Sequence, residues 1–229
     1  MSILVLNQGL KNTRCIAFDL VGNVLAESSY ELETTVSGSF IEQDPKLWKD
    51  LAYKVISDVT YKLGNKANSI KYLTVTTSAS CLLPVDKNGR PLRNCILVSD
   101  TRSQKEVEYI NNLNEFKSVS SQTKMGCSPD LMAPKILWLN NNEKKIIDQT
   151  AYFLNAGDYL NSIFSGNFVT DANNALKFYY LLDEECYPAA LYEKIGIKVD
   201  QLPKVQKTGS SIGPVTKEAS DITGLPRSC

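Results

Sequence analysis

Histidine is absent from the 229 residues, which removes the imidazole general base and with it the Ser/His and Cys/His nucleophile systems. Six cysteines, Cys15, Cys81, Cys95, Cys127, Cys186 and Cys229, are scattered without a C-x-x-C pair. With no imidazole to complete a zinc site, they read as buried reduced thiols. Proton transfer at any site here therefore falls to carboxylates. Two polar groups stand directly after apolar runs. Ser78 and Ser80 flank Ala79 and read by themselves as ordinary loop serines. Asp100 and Arg102 flank Thr101; they suit an intrachain ion pair, and Asp100 also suits the N-cap of a helix beginning near Ser103.

Apolar periodicity supplies the elements that would position these groups. Short apolar runs at residues 3–7 and 13–19 are separated by Gln8-Gly9-Leu10-Lys11-Asn12, and Val24 to Leu32 follows Val21-Gly22-Asn23. This predicts strand, tight turn, strand, turn, strand. Asp44 and Pro45 then open a helix as N-cap and first residue. Leu47, Trp48, Leu51, Ala52, Val55, Ile56, Val59 and Leu63 recur at three- and four-residue steps until Gly64-Asn65 ends it. Strands follow at Tyr72 to Thr76, Cys81 to Asp86 and Cys95 to Ser99, with Asn88-Gly89 as a hairpin signal. Helices follow at Ser103 to Leu113, Leu131 to Asn140, Gly157 to Phe164 and Ala189 to Ile195. Trp48, Trp138 and Tyr159 fall on apolar helical faces and are expected in the core. The pattern is an α/β layered arrangement without internal repeats.

Lysine plus arginine and aspartate plus glutamate both total 25. No net field therefore recruits nucleic acid or an anionic membrane, and small-molecule partners are expected. With 43% hydrophobic and 22% charged residues, the chain can build a sizeable core as one large or two small units. The opening apolar run, Ile3 to Leu6, has no basic flank and is too short for a signal-peptide core or a membrane span. The cytoplasm is the expected location.

The residues themselves go further than the pattern. Asn7-Gln8-Gly9 followed by Asn12-Thr13-Arg14-Cys15-Ile16-Ala17-Phe18-Asp19 resembles the first phosphate-binding hairpin of the actin-like ATPase superfamily, usually D-x-G-T-T-S-x-R and an apolar strand. Phe40-Ile41-Glu42-Gln43-Asp44-Pro45 with Trp48 resembles the "EQDP…W" helix opening of the FGGY carbohydrate kinase family. Asp86-Lys87-Asn88-Gly89-Arg90-Pro91-Leu92 through Ser99-Asp100-Thr101-Arg102, Ala133-Pro134-Lys135-Ile136-Leu137-Trp138-Leu139, Asp158-Tyr159-Leu160, Thr170-Asp171-Ala172-Asn173-Asn174-Ala175 and Thr223-Gly224-Leu225-Pro226 continue the likeness in order. It spans nearly the whole chain.

The resemblance implies an actin-like ATPase (ribonuclease H-like) α/β domain with a mixed five-stranded sheet flanked by helices. Residues 1–229 would form the amino-terminal FGGY domain without its last strand region, the carboxy-terminal domain being absent. It also implies phosphoryl transfer from ATP, with Mg²⁺, to a sugar or polyol hydroxyl, a pentulose-like acceptor being favoured. Self-association into a homo-oligomer is left open. Phosphate and metal contacts would come from Asn7, Gln8, Gly9, Asn12, Thr13 and Arg14. Gly9 suits the role because a residue without Cβ lets the backbone approach phosphate closely. Asn7 stands where the family has Asp, and Leu10-Lys11-Asn12 where it has Thr-Thr-Ser, so a carboxylate and two hydroxyls are lost and Mg²⁺ affinity should fall. Lys11 either touches phosphate or is solvated. Acceptor contacts would come from Ser78, Ala79, Ser80, Asp100, Arg102 and Asp130. Ala79-Ser80 replaces the Arg-Glu of glycerol kinases and the Met-His of xylulose kinases and leaves a roomier pocket. Asp171 with Asn173 and Asn174 either lines the cleft or caps a helix. The family's general-base Asp lies in a "GGGD" strand beyond the "TGLP" segment and thus beyond Cys229, so this chain alone is expected to be inactive. The alternative is a kinase-like protein that binds a sugar or a partner without catalysis.

Overall fold

The computed structural model describes all residues, 1–229. Three strands open the chain: β1 (Ser2–Gln8), β2 (Asn12–Asp19) and β3 (Val24–Glu31). They form an antiparallel meander with registers such as Leu6↔Cys15 and Cys15↔Ser28. Period-two alternation buries Leu4 and Leu6 on one face and leaves Ile3, Val5 and Asn7 half-buried on the other. Short strands β4 (Thr35–Ser37) and β5 (Phe40–Gln43) then lead into α1 (Pro45–Leu63).

Helix α1 begins and ends as its sequence dictates. Asp44 accepts the Lys46 N–H at 2.9 Å, Pro45 takes the first position, and Gly64 closes the helix at φ 54°. Its apolar stripe of Ala52, Val55, Ile56 and Val59 packs with Leu4, Leu6, Cys15 and Ala17 of the sheet. After a 3₁₀ segment, β6 (Ile70–Thr77) joins the sheet parallel to β1. The order is β3-β2-β1-β6, four strands against the five of the expected fold, and β6 is an edge.

Beyond β6 the strands are too short to extend this sheet. β7 (Leu83–Val85) and β8 (Cys95–Ile96) are shorter than expected, and Pro84 brings no N–H to a ladder. Four helices follow: α2 (Gln104–Asn111), α3 (Asn114–Thr123), α4 (Met132–Asn142) and α5 (Lys144–Gln149). Then come β9 (Tyr152–Leu154), α6 (Ala156–Ser165), β10 (Val169–Asp171), α7 (Ala172–Ala175), α8 (Ala189–Lys194), β11 (Lys204–Gln206) and α9 (Lys217–Thr223). β8 pairs with β5, β9 with β7, and β11 with β10. A second apolar core gathers Ile110, Phe116, Ile136, Leu139, Phe153, Phe178 and Tyr192.

Several expectations are corrected here. Cys15, Cys81 and Cys95 are buried thiols, but Cys127 and Cys229 are only half-buried and Cys186 is exposed. Trp48 and Tyr159 are core residues, whereas Trp138 is half-buried, its ring edge-on to Phe40 at 5.6 Å. Asp171 caps α7, accepting the N–H groups of Asn173 (2.8 Å) and Asn174 (3.1 Å).

Helix α6 carries a capping box in which Asn155 accepts the Asp158 N–H at 3.0 Å and Asp158 accepts the Asn155 N–H at 3.1 Å. Burial pushes the Asp158 carboxyl up to about 7. The folded chain thus holds that proton more tightly than the unfolded chain, and the site loses stability as pH rises through the interval between the ordinary carboxylate value and 7. Thermal unfolding should show Asp158→Asn gaining on the wild type from pH 5 to pH 7, with a constant difference above pH 8. An unchanged difference across that range would mean the carboxyl is already ionised at pH 5.

Candidate functional site

The two turns that the sequence singles out sit side by side. β1 and β6 are parallel neighbours with Gln8 opposite Thr77, and neighbouring strands lie about 4.8 Å apart. The chain leaves both strands at the same end, into the Gly9 turn and the Ser78-Ala79-Ser80 loop. A row of cross-strand partners, Arg14, Asn7 and Thr76, runs below them on the less buried face. Thr76 was not singled out in the sequence; its place follows only from the β1–β6 register.

The Gly9 turn is a closed hairpin. The Gly9 N–H donates to the Asn12 carbonyl at 2.9 Å and is therefore spent. The N–H groups of Leu10 and Lys11, two exposed residues at the tip, donate to no group of the chain. Space explains the glycine: a Cβ there would stand 3.3 Å from the Asn12 carbonyl oxygen and 3.5 Å from Asn12 Oδ1. Asn7 Oδ1 lies 3.9 Å from the same point, so both side-chain amides converge on the turn. Arg14 and Lys11 are exposed. Gln8 and Thr13, expected at phosphate, are instead buried, Thr13 Oγ1 donating to Gln8 Oε1 at 2.6 Å and Gln8 Nε2 donating to the Gly9 carbonyl at 3.3 Å. They face the core because alternation along β1 and β2 sends them to the α1 side.

Gln43 holds this turn in place. Its Nε2 donates to the Leu10 carbonyl at 2.9 Å and to Thr34 Oγ1 at 2.8 Å, while its Oε1 accepts from the Trp48 indole at 2.9 Å. The spacing of Gln43, Pro45 and Trp48 is thus a physical device: a strand residue and the first turn of α1 grip the hairpin tip together.

Glu42 points to the other side of β5, as its position next to Gln43 requires. There it meets Arg93 and Arg102, Arg102 Nη2 lying at 2.6 Å. Arg102 also forks onto Asp100, with Nε at 2.9 Å from Oδ1 and Nη2 at 2.7 Å from Oδ2. Asp100 further accepts the Ile41 N–H at 2.6 Å. The guanidinium lies over Phe40 at 4.1 Å and Trp138 at 4.9 Å. Arg93 extends the network to Glu143 at 2.5 Å. Asp100 is 0% exposed. The ion-pair reading of Asp100 and Arg102 thus has direct geometric support: both Asp100 carboxylate oxygens are committed within the chain, and Arg102 spends its Nε and Nη2 there. Asp100 does not cap α2; Ser103 stands at that position.

The acceptor loop is more buried than expected. Ser78 and Ala79 are half-buried, while Ser80 is buried and adopts φ 60°. Asp130 is exposed at a bend before α4. Beneath these segments lies Lys135, whose Nζ donates to the carbonyls of Ser80 (2.7 Å), Leu97 (2.9 Å) and Asp130 (3.4 Å). A separate cavity of about 710 Å³ lies between the free edge of β6, α6 and residues 206–215; of the residues weighed for the cleft only Asp171 lines it.

A parallel β1–β6 pair with a glycine hairpin at its mouth defines the actin-like ATPase fold class, and solved structures of that class superimpose closely. The profile of the FGGY family of carbohydrate kinases, N-terminal domain, matches residues 2–229, and the chain belongs to that family. It is 28% identical over 234 residues to an autoinducer-2 kinase of Yersinia enterocolitica, covering 97% of this chain and 43% of that protein. A xylulose kinase from Rhodospirillum rubrum superimposes with a TM-score of 0.93 at 26% identity over 100% of this chain and 47% of that one. A Plasmodium falciparum glycerol kinase with ADP shares the fold, at a TM-score of 0.88 and 23% identity, over 98% of this chain and 47% of that one. The chain thus spans less than half the length of these relatives. No helix is long and apolar enough to cross a membrane.

Proposed function

We propose that this chain is the domain of an ATP-dependent carbohydrate kinase that presents the phosphate turn and the acceptor loop, the acceptor being a sugar or polyol of pentulose type. The Gln8↔Thr77 register carries this reading. Phosphoryl transfer needs donor phosphate and acceptor hydroxyl held within a few ångströms, and two turns on adjacent parallel strands supply that spacing. The small Ala79 and the likeness to a xylulose kinase support a pentulose. The cytoplasm suits such a substrate.

The residues at the turn fit phosphate. The free N–H groups of Leu10 and Lys11 and the tight approach at Gly9 form a cradle for anionic oxygens, and Arg14 adds positive charge on the Asn7 face. Asn7 would hold Mg²⁺ through its amide oxygen or a bridging water. When bound, the ion neutralises charge on the phosphates. Proton transfer from the acceptor hydroxyl calls for a carboxylate, and neither residues 7–14 nor residues 76–80 contain one, so this chain is expected to bind without turnover. Because residues 7–14 contain no carboxylate, the second reading is a kinase-like protein that holds a sugar without catalysis.

Coupled measurement of ADP release by the full-length polypeptide, with D-xylulose, glycerol and D-gluconate as acceptors, separates the two. Turnover with D-xylulose is expected, and Asn7→Asp should lower the Mg²⁺ concentration for half-maximal rate about tenfold by restoring a charged ligand. If D-xylulose binds but neither protein releases ADP with any acceptor, the non-catalytic reading stands and the kinase reading falls.

A further inference from the structure

We infer that Lys135 is the positioning residue for the acceptor side of the cleft, joining through one ammonium group the three segments that carry the acceptor candidates. Its functional meaning rests on the kinase reading; its structural content does not.

Lysine is almost never fully buried unless paired, yet Lys135 is 0% exposed and takes part in no salt bridge with a carboxylate. An ammonium has three donors, and here each one meets a backbone carbonyl, those of Ser80, Leu97 and Asp130. These acceptors lie 55, 38 and 5 residues from Lys135 in sequence. Ser80 ends the Ser78-Ala79-Ser80 loop, Leu97 leads into Asp100 and Arg102, and Asp130 is itself the third candidate.

The choice of acceptors matters. A carboxylate partner would fix one segment through one side chain, whereas three carbonyls fix three backbones, so none can shift without releasing a bond to a buried charge. Ser80 shows the need: a non-glycine residue at φ 60° is strained and persists only where its surroundings hold it. The bond from Lys135 to the Ser80 carbonyl is the shortest of the three.

The clamp also titrates. Burial pushes the Lys135 ammonium down to about 8, opposed by the Asp100 and Asp130 carboxylates; the neighbouring Cys81 and Cys95, whose own thiols burial pushes up, stay uncharged beside it. Below that pH the group is charged with three donors. Opening hydrates the amine and returns it towards the ordinary lysine value, so the open state holds the proton more tightly and the three segments should tighten together as pH rises through about 8.

The test uses this chain with Lys135→Met and Lys135→Arg, followed by amide hydrogen exchange and by calorimetric titration with D-xylulose. Lys135→Met should raise exchange jointly in residues 78–81, 97–102 and 128–131 while leaving residues 2–31 unchanged, and should weaken D-xylulose binding at least about tenfold. In the wild type, exchange in those segments, after correction for intrinsic rates, should fall together between pH 7 and pH 9 as opening loses its advantage in proton uptake. Lys135→Arg, which stays protonated, should abolish that pH dependence. Increased exchange confined to one segment, or wild-type affinity in Lys135→Met, overturns the inference. Should Lys135→Met not fold, the wild-type pH series decides: independent responses of the three segments overturn the clamp, and a common transition near pH 8 supports it. Failure of the wild type to bind D-xylulose counts against the acceptor reading alone, because the exchange pattern needs no ligand.

Discussion

Arg102→Met is expected to lower the thermal midpoint by roughly 6–20 °C, the largest stability loss among the side chains discussed. The substitution leaves the Asp100 carboxylate without its guanidinium in a place with no access to water. Breaking a buried pair from one side costs about 3–5 kcal/mol, and in a chain of this size each kcal/mol moves the midpoint by about 2–4 °C. Methionine roughly keeps the volume between Phe40 and Trp138, so the loss reports charge and cation–π contact more than cavity formation. A useful contrast is Lys49→Ala, which breaks the exposed pair with Glu218 at 2.9 Å and should cost less than about 1 kcal/mol. Equal midpoint shifts for the two variants, measured by circular dichroism, would show that the Arg102 network contributes no more than a surface pair.

Gln43→Leu should produce the second large effect and aim it at the phosphate turn. The change removes the acceptor of the Trp48 indole N–H, and Trp48 is buried, so an unsatisfied donor costs about 1–3 kcal/mol. It also frees the Leu10 carbonyl, and with it the hairpin tip that carries the two free N–H groups. Gln43→Glu separates the two losses. Its carboxylate still accepts from Trp48 but cannot donate to Leu10, so the Leu10–Lys11 turn should exchange its amides faster while α1 keeps its protection. Unaltered exchange of Leu10 and Lys11 in both variants would remove Gln43 from any role at the turn.

The parts of this architecture that a linear reading captured are those whose physics is local. β1 to β3 and α1 carry unbroken period-two and helical patterns, with Asp44, Pro45 and Gly64 as punctuation, and they fold as read. α3 was missed because Asn114 to Thr123 is mostly polar and buries only Phe116 and Val119. β9, β10 and β11 have three residues each, too few for a period to register. Motif likeness marked segments along the chain but could not say which of their side chains turn outward. Gln8, Thr13, Ser80, Asp100 and Arg102 turn inward, and what decides this is alternation across the sheet and ion pairing over tens of residues. Gln43 and Lys135 were visible as motif letters, yet their partners lie 33 and up to 55 residues away. Such partners become legible only when the segments meet in space.

The pairing of Gln8 with Thr77 has a consequence for descent. Where reactant separation depends on flexible loops, every change of loop sequence risks the geometry. Here the gauge is the spacing of a hydrogen-bonded sheet, which side-chain replacement at positions 78–80 leaves untouched. A lineage built on this frame can exchange the side chains of one turn while its distance from the other stays constant.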